Sequence, residues 1–254
     1  MIAVVSPAKT LDFESQYDFD HTLPKFQKEA LELIDVLKQQ SASEVKELMS
    51  ISDQLAQINV ERYHEFTKKK NPVHARHAIF AFQGDVYQGL EAENFSEKEL
   101  DFSQSHFRIL SGLYGLIRPL DLIQPYRLEM GTKLRVNGSK NLYEFWGDRI
   151  ASQLNRDLKQ QGDDLLINLA SVEYFKSVDI KKLRAKVIDV DFKDFSNGEY
   201  KVISFFAKKA RGMMSRYIIK NQPKTVEELK GFDYDGYYFD ESNSTDRLLA
   251  FKRA

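Results

Sequence analysis

Basic side chains concentrate between residues 176 and 220 of this 254-residue chain. That segment holds 12 Lys or Arg against 5 Asp or Glu, a net charge of +7, whereas residues 1–104 hold 11 against 18, a net of −7. The segment includes a predicted helix whose cations are Lys208, Lys209, Arg211, Arg216 and Lys220. At 100° per residue, Lys209, Arg216 and Lys220 fall within about 40° of one another around the helix axis. This cationic face predicts an anionic partner, and phosphate suits guanidinium and ammonium groups. The alternative is a solvated face balanced by acidic residues of the N-terminal part.

A second candidate anion site is the turn Ser6-Pro7-Ala8-Lys9-Thr10. Small hydroxyl residues and Lys9 follow a predicted strand, and such a turn can bind phosphate or carboxylate. The turn lacks the Gly-x-x-x-x-Gly-Lys pattern of phosphate loops. The alternative is a strand-ending turn with an exposed lysine.

Residues 45–56 are similar to the helix-hairpin-helix pattern, in which backbone N–H groups at the start of a helix hold a DNA phosphate. Ser50 and Ser52 stand where that pattern has glycines. Serine tolerates positive φ poorly, and the acidic neighbours Glu44, Glu47 and Asp53 would repel a phosphate. The alternative is an ordinary connection between two helices, with Ser52 as an N-cap.

Glycines, aromatic residues and arginines cluster between residues 110 and 131. Glycine permits close backbone approach, and this composition predicts a pocket wall built from loops. Arg127 could be oriented by Glu129 or by a ligand carboxylate or phosphate. A structural salt bridge is the alternative.

Several classes of chemistry have no support in the sequence. The chain has no cysteine, which excludes disulfides, thiol nucleophiles and cysteine-ligated metal. His74-x-x-His77 has helical ligand spacing, but no acidic residue lies one turn away to complete a metal site. No Ser-His-Asp pattern, nucleophile elbow or Rossmann fingerprint occurs. We therefore expect no metal and no cofactor.

Local patterns predict the elements that must position these residues. Apolar runs indicate buried strands, hydroxyl caps and helical spacing indicate helices, and Asn-Gly between two β-rich runs indicates a hairpin. The predicted strands are Ile2–Val5, Ile79–Phe82, Phe107–Leu110 and Leu165–Leu169, with a hairpin of Lys186–Phe195 and Glu199–Phe206. One predicted helix begins at about Pro24, with Thr22 as its cap, and two more begin at the capping boxes Ser41-x-x-Glu44 and Ser96-x-x-Glu99. Two further helices are predicted over Leu142–Leu158 and Ala207–Lys220.

Strands and helices alternate without a repeat, a low-complexity tract or a Pro/Gly-rich linker. We therefore predict one α+β domain over residues 1–254, with a mixed β-sheet and surrounding helices. The N-terminus lacks a basic leader, and its apolar run stops after four residues. These features favour a cytoplasmic protein that has no membrane partner.

Several separate blocks together resemble the YaaA peroxide-stress family over essentially the whole chain. The blocks are Ser6-Pro-Ala-Lys-Thr-Leu-Asp12, Ile51-Ser-Asp-x-Leu-Ala56, Phe82-x-Gly-Asp-Val-Tyr87, Leu110-Ser-Gly-Leu-Tyr-Gly115, Arg118-Pro-Leu-Asp121, Pro125-Tyr-Arg-Leu-Glu-Met-Gly131, Phe145-Trp-Gly147, Ile167-Asn-Leu-Ala-Ser171, Glu173-Tyr-Phe-Lys176 and Ala207-Lys-Lys-Ala-Arg-Gly212. The resemblance implies a bacterial cytoplasmic protein that protects against hydrogen peroxide and is associated with less unincorporated iron. It also implies DNA binding, a mixed α/β fold of unusual topology, a helix-hairpin-helix element and a positively charged cleft.

Two hypotheses about function follow. In the first, a basic cleft binds the phosphates of duplex or distorted DNA without reading its sequence, and the Ser50–Ser52 turn adds further phosphate contacts. The residues of this cleft are Lys9, Arg127, Lys176, Lys208, Lys209, Arg211 and Arg216. In the second, the same cationic pocket belongs to an enzyme that acts on a small phosphorylated or nucleotide-like substrate, because Lys9, Tyr126, Arg127, Glu129 and Lys176 are anion-binding or reactive types. An effect on iron is expected to be indirect.

Overall fold

A computed structural model describes residues 1–15, 17, 19–69 and 74–254. Its strands are β1 (Ile2–Val5), β2 (Thr10–Leu11), β3 (Arg76–His77), β4 (Phe82–Gln83), β5 (Phe107–Ser111), β6 (Gly115–Ile117), β7 (Leu122–Ile123), β8 (Leu165–Leu169), β9 (Lys186–Ser196), β10 (Glu199–Lys201), β11 (Tyr238–Phe239) and β12 (Leu248–Arg253). Its α-helices are α1 (Gln27–Leu37), α2 (Ala42–Met49), α3 (Asp53–Glu65), α4 (Ala78–Ala81), α5 (Asp85–Leu90), α6 (Glu97–His106), α7 (Leu142–Trp146), α8 (Arg149–Gln161), α9 (Val172–Phe175), α10 (Ser204–Asn221) and α11 (Val226–Leu229). No helix in these ranges is long and apolar enough to cross a membrane.

The main sheet has the order β11-β12-β9-β8-β1-β5-β6, and β10 pairs with β9. The five inner strands, from β12 to β5, run parallel to one another, whereas β6, β10 and β11 are antiparallel to their neighbours. All four residues of β1 are buried, as expected for a strand whose sheet is covered on both faces. The predicted α+β fold with a mixed sheet is confirmed.

The chain leaves the ends of β1 and β8 in opposite directions. From β1 it continues to β5 on one side, and from β8 it continues to β9 on the other. Loops that diverge from two neighbouring parallel strands leave a crevice at their carboxyl ends, which is the usual ligand position in open α/β sheets. The fold therefore provides a cleft between the residues that follow Val5 and those that follow Leu169.

Helices α5 and α10 cross at two glycines. A Cβ atom on Gly89 would lie 2.1 Å from the carbonyl oxygen of Lys209, and one on Gly212 would lie 1.8 Å from that of Val86. The two backbones thus touch, which only glycine allows. This crossing holds the N-terminal half of α10 beside Asp85, at the start of α5.

Most of the locally encoded elements are confirmed. The strands β1, β5 and β8 and the first hairpin strand lie where the apolar runs predicted them. Both capping boxes form, with the side chains of Ser41 and Ser96 accepting from the backbone N–H groups of Glu44 and Glu99.

Other boundaries were wrong. The run Ile79–Phe82 begins as helix α4 and only its last residue enters a strand, because a short apolar run does not distinguish the two. Helix α1 begins at Gln27 rather than near Pro24, since Thr22 Oγ1 donates to Asp121 Oδ1 at 2.6 Å instead of capping it.

Two further corrections concern the second half of the chain. The predicted helix 142–158 is two helices, α7 and α8, because Gly147 adopts a φ of +50° that ends α7. The second hairpin strand ends at Lys201 rather than Phe206, and α10 begins at Ser204 rather than Ala207.

Candidate functional site

A polar cleft lies at the carboxyl ends of β1 and β8, and we call it the switch-point cleft. Five stretches of chain surround it: the turn after β1, the start of α5, the segment around Glu129, the loop after β8, and α10. Its empty volume is about 1180 Å³, including the mouth that opens to solvent. Its lining includes Ser6–Thr10, Gln83–Tyr87, Glu129, Leu169, Ser171, Glu173, Tyr174, Lys208 and Arg211.

Two hydrogen-bonded contacts hold the floor of the cleft together. The backbone N–H of Ser171 donates to Ser6 Oγ at 2.9 Å, and the Ser6 hydroxyl lies 3.2 Å from Ser171 Oγ. On the other side of the turn, β2 pairs with β4, with Thr10 opposite Gln83. The turn that carries Lys9 is therefore anchored to β8 at one end and to the start of α5 at the other.

Among the described residues, three cations line the cleft. Lys9 Nζ lies 2.8 Å from Glu129 Oε2, and Lys208 Nζ lies 3.9 Å from Asp85 Oδ2. Arg211 differs from both, because its Nε atom is buried without a hydrogen-bond partner in the described part of the chain. Burial lowers the pKa of Arg211, and Asp191 opposes that shift through its charge. A guanidinium in this position has hydrogen-bonding capacity that the protein leaves unused.

Three carboxylates share the cleft with these cations. Glu129 is held by Lys9 on one oxygen and by Arg127 Nη2 on the other, each at 2.8 Å. Glu173 Oε1 accepts from the backbone N–H of Gly131 at 2.9 Å, and Asp85 faces Lys208. The described lining thus carries as many acidic as basic side chains, so it is polar and charged without being uniformly positive.

Buried tyrosines lie in and beside the cleft: Tyr87 and Tyr174 line it, and Tyr126 is close to both. Tyr87 donates from its hydroxyl to the Ser6 carbonyl at 3.2 Å, and Tyr126 shares a 2.6 Å hydrogen bond with Ser111. Burial raises the pKa of Tyr87, of Tyr126 and of Tyr174. These phenols are therefore neutral at physiological pH and act as hydrogen-bonding groups rather than as anions.

The fold brings together three of the seven predicted cleft cations. Lys9, Lys208 and Arg211 line the cleft, and Arg127 lies directly behind Glu129. Lys176 is not part of the described lining, and its Nζ lies 5.0 Å from the centre of the Tyr143 ring. The remaining two, Lys209 and Arg216, are on α10 but are not part of the described lining.

Acidic residues of the N-terminal part neutralise much of the cationic helix. Arg216 pairs with Glu91 and lies 5.1 Å from the centre of the Tyr234 ring, and Lys220 pairs with Glu99 at 3.2 Å. At these two positions the observed pairing is the one that the balanced-face alternative predicted. The +7 charge of the segment is thus partly cancelled by the −7 charge of residues 1–104.

The Ser50–Ser52 turn connects α2 to α3 outside the cleft. Ser50 is left-handed, with a φ of +52°, and Ser52 caps α3 by accepting from the Leu55 N–H at 3.3 Å. Both features are those of an ordinary connection between two helices with Ser52 as the N-cap, which was the alternative predicted from the sequence. The helix pair is joined to the cleft region through Tyr63, whose hydroxyl donates to the Arg127 carbonyl at 2.6 Å.

Sequence reasoning assigned no role to Asp85, Ser171 or Glu173. Each lies in a block that carried the family resemblance, and Ser171 follows a predicted buried strand as Ser6 does. The position of a polar residue directly after a parallel strand was the available signal. No group of three or more His, Asp or Glu residues close enough to hold a metal ion occurs within the described residues.

The fold and the cleft define an α+β protein with a polar, mixed-charge site at the switch point of its sheet. Residues 1–243 match the model of a family described as peroxide stress protein YaaA. Two UPF0246 proteins of Aliivibrio fischeri, one from strain MJ11 and one from strain ATCC 700601 / ES114, are each 52% identical over 254 residues, which cover 100% of this chain and 98% of the relative. The chain belongs to the YaaA peroxide-stress family, as the resemblance predicted.

Proposed function

We propose that this member of the peroxide-stress family binds DNA without reading its sequence, and that backbone phosphates meet the protein at the switch-point cleft. The observation that carries the proposal is the convergence of Lys9, Lys208 and Arg211 from positions about 200 residues apart in the sequence. Lys9 and Lys208 keep 65% and 53% of their side chains exposed. Both ammonium groups can therefore reach a ligand larger than the cleft.

The helix pair α2–α3 supports the same proposal. Its turn resembles the helix-hairpin-helix pattern, and Tyr63 attaches α3 to the backbone beside Arg127. The N–H groups at the start of a 13-residue helix are suited to a phosphate. Lys46 pairs with Asp53 at 2.8 Å and so offsets the carboxylate at this helix start. A duplex that contacts both places would be held by its backbone alone.

Salt-dependent binding tests the proposal. For a labelled duplex followed by fluorescence anisotropy, the logarithm of the binding constant should fall with the logarithm of salt concentration by roughly 0.9 per phosphate neutralised. The double substitution Lys208→Gln/Arg211→Gln should weaken binding and lower that slope by roughly 1 to 2. Lys220→Gln, on the same helix but outside the cleft, is the matched control. Affinity that does not respond to salt or to the double substitution would overturn the proposal.

The second candidate is an enzyme that acts on a small phosphorylated or nucleotide-like substrate. It is favoured by one observation, which is the presence of Asp85, Glu129 and Glu173 among the lining residues. These carboxylates repel a bare phosphate backbone, whereas a small polar substrate can use both signs of charge. A panel of nucleotides and sugar phosphates, screened by thermal shift, tests this candidate. A hit that disappears in Arg211→Gln supports it, and a panel without any shift counts against it.

We also propose that any effect of the protein on unincorporated iron is indirect. The chain has no cysteine, and its five histidines are scattered along the sequence. Protection would then arise at the DNA itself or through other iron-handling proteins. Tight and nearly stoichiometric binding of ferrous iron by the purified protein would overturn this part.

A further inference from the structure

We infer that the switch-point cleft receives a single nucleotide that has left the base stack of bound DNA. This inference rests on the proposed DNA binding and names what enters the cleft. It reconciles two properties of the site that neither candidate function explains alone: cations that reach outwards, and carboxylates in the same lining.

The first argument is size. The cleft is bounded by five stretches of chain and holds a cavity of about 480 Å³, within the range of small-molecule pockets, which is about 300–1,000 Å³. A cavity of this volume is too small for a duplex, whose major groove alone is about 12 Å wide and about 8.5 Å deep, so a duplex can contact only the rim. One extruded nucleotide can enter, and proteins that bind a base individually take it out of the stack in this way.

The second argument is the chemistry of the lining. Arg211 lines the cleft and forms no ion pair within the described residues, so the terminal nitrogens of its guanidinium suit a phosphate oxygen. Glu129 and Glu173 are held in place by Arg127 and by the Gly131 N–H. Carboxylates accept hydrogen bonds and donate none, so they suit the N–H and O–H groups of a base and sugar. An extruded nucleotide supplies an anion and such donors together.

The third argument is the rim. Val172 lies between two lining residues and is 88% exposed, and Phe205 is 51% exposed. Phe205 is three residues before the lining residue Lys208 on α10, so the two side chains are neighbours on the helix surface and Phe205 lies beside the cleft lining. Apolar side chains in such positions can fill the gap that an extruded base leaves and support its neighbours.

A duplex with a central 2-aminopurine tests the inference, because the fluorescence of this base rises when it leaves the stack. Wild-type protein should increase the fluorescence as it binds. In Phe205→Ala we expect the extruded fraction to fall by roughly tenfold, the factor that corresponds to about 1.4 kcal/mol of lost stacking. Ile180→Ser, which changes another apolar residue of 61% exposure outside the cleft lining, is the matched control and should behave as wild type.

A second DNA probe distinguishes the loss of apolar support at the rim in Phe205→Ala from a general loss of structure. If 2-aminopurine is placed opposite an abasic site, it needs little energy to leave the stack. Phe205→Ala should then recover most of the wild-type fluorescence, whereas Arg211→Gln, which removes the proposed phosphate contact, should not.

Three outcomes would overturn the inference, and they differ in what they imply for the proposed DNA binding. Salt-dependent binding of DNA without any rise in fluorescence would overturn it and leave the proposed DNA binding intact. Binding of a free nucleoside monophosphate in the cleft, with no response of the DNA probe, would assign the cleft to a small ligand instead. No binding of any DNA, duplex or abasic, would overturn the proposed function together with the inference.

Discussion

The backbone N–H of Ser171 donates to the hydroxyl oxygen of Ser6 at 2.9 Å, across 165 positions of sequence. This hydrogen bond ties the first residue after β1 to the loop after β8. Since these are the two strands between which the cleft opens, the pair extends the contact between β1 and β8 into the loops that form its walls. It therefore contributes both to the stability of the fold and to the shape of the site.

Ser6→Ala should lower the free energy of unfolding by about 1 kcal/mol, because the half-buried N–H of Ser171 loses its acceptor. The loops after β1 and β8 should also separate, which should weaken ligand binding in the cleft. Urea denaturation measures the first effect. Ser43→Ala, at an exposed serine of α2, is the control and should change the stability by less than about 0.5 kcal/mol. Equal effects of the two substitutions would contradict the role of Ser6.

Gly212→Ala should destabilise the protein by at least about 1–3 kcal/mol, because its Cβ would overlap the Val86 carbonyl oxygen and force α5 and α10 apart. Thermal unfolding measures the loss. At Gly231 the nearest atom to an added Cβ is the Tyr217 hydroxyl oxygen at 3.1 Å, at the end of a side chain. Gly231→Ala should therefore cost less. A wild-type melting temperature for Gly212→Ala would disprove the close crossing.

Asp157→Asn should cost about 3–5 kcal/mol, since it leaves a buried guanidinium without its charged partner. Arg108 Nε lies 2.7 Å from Asp157 Oδ2, and both side chains are buried. The exposed pair Lys46–Asp53 is the comparison, and Asp53→Asn should cost less than about 1 kcal/mol. Guanidinium chloride unfolding of both variants checks the difference, and similar losses would argue against a buried pair in β5 and α8.

The carboxyl group of Asp240 should make the free energy of unfolding depend on pH in the acid range. Burial raises the pKa of this carboxyl, but hydrogen bonds from Ser242, Asn243 and Lys252 outweigh it and hold the pKa at about 2, below the ordinary 3.8. A lowered pKa in the folded state adds stability above pH 3.8, and this is lost as pH falls through about 2. The unfolding free energy of Asp240→Asn should therefore fall less steeply between pH 4 and pH 2 than that of the wild type.

The control for this pH dependence is Asp246→Asn. Asp246 is exposed and takes part in none of the ion pairs within the described structure. Its variant should keep the wild-type slope over the same pH range. Identical slopes for wild type and Asp240→Asn would show that the cluster around Asp240 does not hold its charge in the folded protein.

Local signals predicted much of the fold. The capping boxes at Ser41 and Ser96 depend on atoms within four residues, and the strand β1 depends on one apolar run. Both kinds of element could therefore be predicted from a short stretch of sequence. The run Ile79–Phe82 was not, because burial in a helix and burial in a strand select the same side chains. The break at Gly147 was missed because helical periodicity continues across it.

By itself, the sequence determined the family, the central strands, the helix caps and the separation of charge between residues 1–104 and residues 176–220. Only the tertiary structure decided which charges meet: Lys9, Lys208 and Arg211 converge on the cleft, whereas Arg216 is neutralised by Glu91. The reason is physical. Caps and strands follow from interactions between near neighbours, but the local field at a site depends on distances between side chains that only packing sets.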